Sequence, residues 1–227
     1  MYHKLKYLIT LSLICFSGIN MYAQKGTDYG AAFSFELTKD LSRFLTLNVE
    51  EEIRLINNNQ YNFDRSATSI GLDYTLIPQK VKVGAYYAFL YVYNSDYRFE
   101  PRHRFYFNLS YKEKINSFTF AWRGRIQQTV RDENRGSYNT NPKYALRNRL
   151  TVEYEFWKSQ WTPYGSVEFT NPLNDSRYEL SQIRFQGGVE YRMSRQSYLG
   201  LFLRYNINYE KGDNNFFGAG ISYRMKM

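Results

Sequence analysis

The residues that could most clearly take part in binding or catalysis are arginines and glutamates that recur two positions apart. The segments 123–125 and 147–149 each read Arg-x-Arg, and Glu50 and Glu52 have the same spacing. Guanidinium groups bind carboxylates and phosphates, often through two hydrogen bonds at once. Confined arginines of this kind would therefore either form ion pairs with acids or hold an anion.

Residues for catalysis are scarce. After residue 23 the chain has a single histidine, His103, so a Ser-His-Asp constellation would have to use it. No serine lies two positions away from it. No glycine-rich phosphate loop and no Cys/His metal set is present. We therefore expect no enzyme activity, cofactor or metal, and we keep a hydrolase that uses His103 as the alternative.

Period-two alternation from residue 29 to the end indicates the elements that position these side chains. In the segment 102–112, His103, Phe105, Phe107, Leu109 and Tyr111 alternate with Arg102, Arg104, Tyr106, Asn108 and Ser110. Such alternation predicts a strand that is apolar on one face and polar on the other. Tyrosine occurs 23 times and mean hydropathy is only -0.59, which suits many such strands.

The N-terminus has the pattern of a secretory signal peptide, predicted over residues 1–23. Lys4 and Lys6 precede a short apolar stretch at 8–19, and Ala23 is followed by a predicted cut at Gln24. The apolar stretch is too short for a membrane-spanning helix. Cleavage would remove Cys15, the one cysteine of the chain.

Short and long connections alternate between the predicted strands. The segments 39–42, 77–80, 158–160 and 194–196 are short, and 57–64, 95–101, 131–143, 171–179 and 211–215 are longer and polar. Short turns on one side and long loops on the other are typical of outer-membrane barrels. We predict an all-β, antiparallel, up-and-down transmembrane barrel of about 10–12 strands over residues 24–227.

Three details of this barrel are less regular. We count about eleven strand-like segments, whereas single-chain bacterial barrels have even numbers. Either one segment, such as 29–38, is not a full strand, or closure is irregular. Glu51 falls on an apolar face, which a β-bulge near residues 50–52 would relieve. The turn within 112–117 is expected to bring Arg125 opposite Arg104.

Apolar side chains would then face lipid, and the other set would face the lumen. The lumen candidates are Glu50, Glu52, Arg54, Arg104, Arg123, Arg125, Arg147, Arg149, Glu153, Glu168, Arg184 and Glu190. Two interpretations stay open. A closed Arg–Glu network would fill the lumen and serve a structural role, which we favour because small barrels fill their interior. Incompletely matched arginines would instead form a narrow, anion-favouring channel.

Several motifs occur in a characteristic order. These are Glu-x-Glu-x-Arg at 50–54, His103-Arg104, Arg123-Gly-Arg125, Arg147-Asn-Arg149-Leu-Thr-Val-Glu153-Tyr154, Pro163-Tyr164-x3-Glu168 and Arg184-x2-Gly187-x2-Glu190-Tyr191. Together they resemble the outer-membrane family known as domain of unknown function 2490, over nearly the whole mature chain. The resemblance implies an outer-membrane barrel without an established activity.

These interpretations together predict location and partners. We expect export through the periplasm and insertion into the outer membrane of a Gram-negative cell. The partners would be outer-membrane lipid and lipopolysaccharide, the barrel-assembly machinery during insertion and, for a porin-like channel, small anions. The formal charge is +9, but no run of Lys and Arg indicates a nucleic-acid partner.

Overall fold

A computed structural model describes residues 26–57, 61–93, 99–135, 140–177, 179–210 and 214–227. The predicted signal peptide, residues 1–23, lies outside the described residues. The described residues form a short 3-10 helix, Glu133–Arg135, and eleven strands in one closed barrel. The strands are β1 (Thr27–Asp40), β2 (Leu45–Asn57), β3 (Tyr61–Ile77), β4 (Val81–Tyr93), β5 (Phe99–Ile115), β6 (Phe118–Arg131), β7 (Lys143–Tyr154), β8 (Trp161–Pro172), β9 (Gln182–Arg192), β10 (Ser197–Asn208) and β11 (Asn215–Lys226).

Alternation of side chains decides which face of each strand points inward. In β10, Leu201 and Leu203 are exposed on the outside, whereas Phe202 and Arg204 are buried inside the ring. The same alternation runs along the other strands, because successive side chains of a strand point to opposite faces. The all-β barrel of about ten to twelve strands predicted from the sequence is confirmed.

An odd number of strands requires one irregular pair. Strand direction alternates around an antiparallel ring, so eleven strands close only if one neighbouring pair is parallel. That pair is β1 and β11, in register from Thr27↔Asn215 to Thr38↔Lys226. The segment 29–38 is therefore part of a full strand, and the irregular closure considered above is the arrangement present.

The two rims of the barrel differ in their connections. One rim, which we call the turn rim, includes Asp40, Leu45 and Lys226. Short segments such as 78–80 and 116–117 join the strands there. The opposite rim, which we call the loop rim, includes Thr27, Asn57 and Asn215, and its longer connections include 132–142 and 173–181.

Two of the predicted long loops are partly strand. β3 begins at Tyr61 and β5 at Phe99, inside the predicted loops 57–64 and 95–101. The Phe99 ring stacks on Tyr91 with centroids 4.8 Å apart and contacts Phe63 at 5.6 Å. Such cross-strand aromatic pairs stabilise strand pairing and extend it beyond the predicted ends.

The bulge predicted near residues 50–52 is wrong. The β2–β3 register shifts between Arg54 and Leu55, where Asp64 is the extra residue of β3. Glu51 stays on the outward face and accepts a hydrogen bond from the Thr68 hydroxyl of β3. This hydrogen bond gives the carboxylate a polar partner without any change of register.

The predicted pairing of Arg125 with Arg104 is also wrong. The β5–β6 turn contains only Asn116, whose φ is 55°, and Ser117, so Ile115 pairs with Phe118. A turn this tight sets the register of the whole hairpin. Arg125 therefore lies opposite Asn108.

Candidate functional site: an arginine-rich cavity

A cavity of about 230 Å³ lies inside the ring of strands. Among its charged lining residues are eight arginines and two glutamates: Arg65, Arg104, Arg123, Arg125, Arg147, Arg149, Arg184, Arg204, Glu50 and Glu52. Eight of these ten were candidates from the sequence. Arg65 and Arg204 are not among the lumen candidates given above, although the alternation of β10 directs Arg204 inward.

Glu168 of β8 is the main acidic partner of the basic wall. It is 1% exposed and accepts hydrogen bonds from Arg123 at 3.0 Å, from Arg149 at 2.9 Å and from Arg147. Arg184 of β9 adds an ion pair at 3.7 Å. Four guanidinium groups thus share one carboxylate.

The register explains why these arginines need a shared partner. Arg123 lies directly opposite Arg149 across β6 and β7, and Arg125 lies opposite Arg147. Like charges that face each other directly across a strand pair are destabilising. Glu168 is the β8 residue opposite Arg149, so its carboxylate lies close to both rows of arginines. We call its partners Arg123, Arg147, Arg149 and Arg184 the four-arginine cluster.

The hydrogen bonds of two other candidate acids go to arginines outside this cluster. Glu52 of β2 accepts hydrogen bonds from Arg204 of β10 at 3.0 and 3.2 Å. Glu190 of β9 pairs with Arg224 of β11. The acids therefore neutralise arginines elsewhere on the inner wall.

Glu153 also lies outside the cluster. It forms an ion pair with Lys112 at 3.6 Å, near the end of β7 at the turn rim, where both side chains are partly exposed. Glu50 lines the cavity and lies opposite Glu36 of β1. In the described part of the chain, neither Glu153 nor Glu50 forms an ion pair with an arginine of the four-arginine cluster.

The bulge in β3 supplies the acidic partner of Arg54 and Arg65. These two residues are register partners, and both donate a hydrogen bond to Asp64, Arg65 at 2.9 Å. The extra residue places a carboxylate between two like charges. Residue 65 directly follows the predicted loop 57–64, so the sequence pattern assigned it to no strand and its inward direction was not predicted.

Arg104 and Arg125 differ from the rest of the wall. The Nε of Arg104 donates to the Thr129 hydroxyl at 3.0 Å, and the Nε of Arg125 donates to the Asn108 side chain at 2.8 Å. The Arg125 guanidinium also lies 3.9 Å from the Tyr106 ring centroid. Within the described ranges, neither has a carboxylate within 4.0 Å.

His103 lies on the outer surface of β5. Its Nδ1 is 2.8 Å from the Tyr87 hydroxyl, and its ring packs near those of Tyr87 and Phe89. Its strand neighbours in the ring are Phe89 and Val130. These contacts assemble neither a serine nor an acid around the imidazole.

Two further properties concern the described residues only. No helix among them has the length and apolar character needed to cross a membrane. No group of three or more His, Cys, Asp or Glu side chains among them is arranged to hold a metal ion.

Comparison with known proteins places the chain in a family. No curated protein matches it. The family model described as protein of unknown function (DUF2490) matches residues 30–217, which include most of the barrel and the whole four-arginine cluster with Glu168. The chain therefore belongs to the DUF2490 family of proteins of unknown function.

Proposed function

We propose that this protein is a non-enzymatic outer-membrane barrel whose lumen is a narrow channel that favours small anions. The observation that carries the proposal is the excess of arginine over acid around the cavity. Rings of Arg or Lys select for anions in known pores. The closed network would instead require about as many carboxylates as arginines. Here the single carboxylate of Glu168 forms ion pairs with four arginines.

Support for a membrane location comes from the outer surface. Large apolar side chains are exposed there, for example Phe107 at 67%, Ile126 at 56% and Leu203 at 55%, whereas Glu168 and Arg204 are buried inside. Apolar-out and polar-in strands suit a barrel surrounded by lipid. Lipid, lipopolysaccharide and the assembly machinery are its proposed partners.

The test is conductance in planar lipid bilayers under a KCl gradient. We expect small conductance steps with a reversal potential on the chloride side. A double variant, Arg104→Gln with Arg125→Gln, should move the reversal potential toward zero, because it removes the two arginines without a carboxylate.

The matched control removes the same charge outside the lumen. Arg43 and Arg195 lie exposed in turns at the turn rim, so Arg43→Gln with Arg195→Gln should keep the anion preference. Absence of conductance, or a preference for potassium, would refute the channel.

A further inference from the structure

The cavity has room because two strands of its wall present small side chains. Ser69 of β3 pairs with Ala88 of β4, which in turn pairs with Arg104 of β5. All three line the cavity. The guanidinium of Arg104 therefore lies in a row with short side chains rather than with another long one.

Arg104 and Arg125 each retain hydrogen-bonding capacity. A guanidinium carries five N–H donors, and each of these residues uses its Nε on a neutral acceptor. The terminal amino groups of both have no hydrogen-bond partner among the described residues. Arg104 is also close enough to Arg65, Arg125 and Arg147 for their charges to interact.

A bound negative charge would stabilise this arrangement. Removing a charged group from water costs several kcal/mol unless it is paired. Arg104 and Arg125 are only partly exposed, and neither has a carboxylate within 4.0 Å among the described residues, although Glu168 is close enough to Arg125 for their charges to attract. A ligand with two negative charges would balance both, and its oxygens would match the paired N–H groups of guanidinium.

We propose that Arg104 and Arg125 form the core of a binding site for a doubly charged tetrahedral oxyanion of the phosphate class. Arg65 and Arg147 flank the site and add to its positive potential. The inference rests on the proposed anion-favouring lumen and names the class of anion held there. Since the site lies inside the ring of strands, the ligand enters from solution and not from the lipid.

The size of the cavity agrees with such a ligand. The cavity of about 230 Å³ is several times larger than the share of liquid volume that one water molecule takes, about 30 Å³. It therefore has room for inorganic phosphate with a few waters, or for a small phosphate ester.

The test is calorimetric titration of the purified barrel, in neutral detergent and a chloride buffer, with inorganic phosphate. We expect one saturable site. Sulfate should compete with phosphate, whereas acetate at equal ionic strength should compete poorly because it carries a single charge.

Substitutions assign the site. Arg104→Gln with Arg125→Gln should weaken phosphate binding by at least about tenfold, because charge-assisted hydrogen bonds are lost. The control pair Arg43→Gln with Arg195→Gln should leave it unchanged. Each variant is used only if its electrophoretic mobility still changes on heating, as expected for a folded barrel.

The outcomes separate the two proposals. The oxyanion site is overturned if phosphate does not bind, even if anion-selective conductance is present. It is also overturned if the Arg104→Gln with Arg125→Gln variant binds phosphate as well as the wild type does. Phosphate binding that requires Arg104 and Arg125, without any conductance, supports the site and refutes the channel.

Discussion

Arg123 and Arg149 lie directly opposite each other across β6 and β7, and both guanidinium groups donate hydrogen bonds to the Glu168 carboxylate, at 3.0 and 2.9 Å. The like charges of these two strands can remain adjacent because an acid from a third strand lies between them. This relationship makes Glu168 the residue on which the basic wall most depends.

Replacement of Glu168 should therefore be costly. Glu168→Ala should lower the free energy of unfolding by about 3–5 kcal/mol, as removal of one partner from a buried ion pair does. Urea unfolding in lipid vesicles measures the change. Glu153→Ala is the control, because its ion pair with Lys112 is partly exposed and should contribute only about 0–1 kcal/mol. Equal effects of the two substitutions would contradict the central role of Glu168.

The parallel closing pair predicts where the two ends of the barrel lie. β1 starts at the loop rim and β11 ends at the turn rim. In the proposed outer-membrane barrel, these two ends are therefore expected on opposite sides of the membrane. A membrane-impermeant maleimide on intact cells should label a Thr27→Cys variant. A Met227→Cys variant should react only after the outer membrane is permeabilised. Labelling of both variants on intact cells would contradict this topology.

A substitution of Glu51 can test whether the outward face of β2 contacts lipid. Its carboxylate lies among outward residues of β2 such as Val49 and Ile53, with the Thr68 hydroxyl as its partner. In a lipid-facing band a charge is unfavourable, so Glu51→Leu should stabilise the barrel in vesicles by roughly 1 kcal/mol. The inward control, Glu50→Leu, should give no such gain. A loss of stability in Glu51→Leu would argue against lipid contact at this position.

His103 tests the hydrolase alternative. Because its contacts are the Tyr87 hydroxyl and two aromatic rings, His103→Ala should change the free energy of unfolding by no more than about 1 kcal/mol. Any hydrolysis of a fatty-acyl ester by the preparation should persist in this variant. Its disappearance there, with Tyr87→Phe unaffected, would favour an enzyme.

Asp175 provides a pH-dependent prediction in the loop between β8 and β9. A hydrogen bond from the Arg177 guanidinium lowers the pKa of Asp175 from 3.8 to about 2. A lowered carboxyl pKa stabilises the loop above the unfolded pKa, and this contribution is lost as pH falls toward 2. Arg177→Gln should return the pKa toward 3.8, as measured by NMR titration of the carboxyl carbon. An unchanged pKa would contradict the assignment to Arg177.

The sequence by itself determined the strand pattern and the face of most side chains. Alternation such as that of 102–112 is a local property of the backbone, because neighbouring side chains of a strand must point to opposite faces. The eleven segments, the inward direction of Arg104, Arg125 and Glu168, and the outward direction of His103 could therefore be read without a structure.

Only the tertiary structure decided which charges meet. Register depends on turn length and on bulges, such as the two-residue turn at Asn116 and the extra residue Asp64, and a shift of one position changes every pair. Ring closure is likewise a property of all strands together, so the parallel β1–β11 pair could not be inferred from either strand alone. For the same reason, only the closed barrel showed that four arginines share Glu168 and that Arg104 and Arg125 have no carboxylate within 4.0 Å among the described residues.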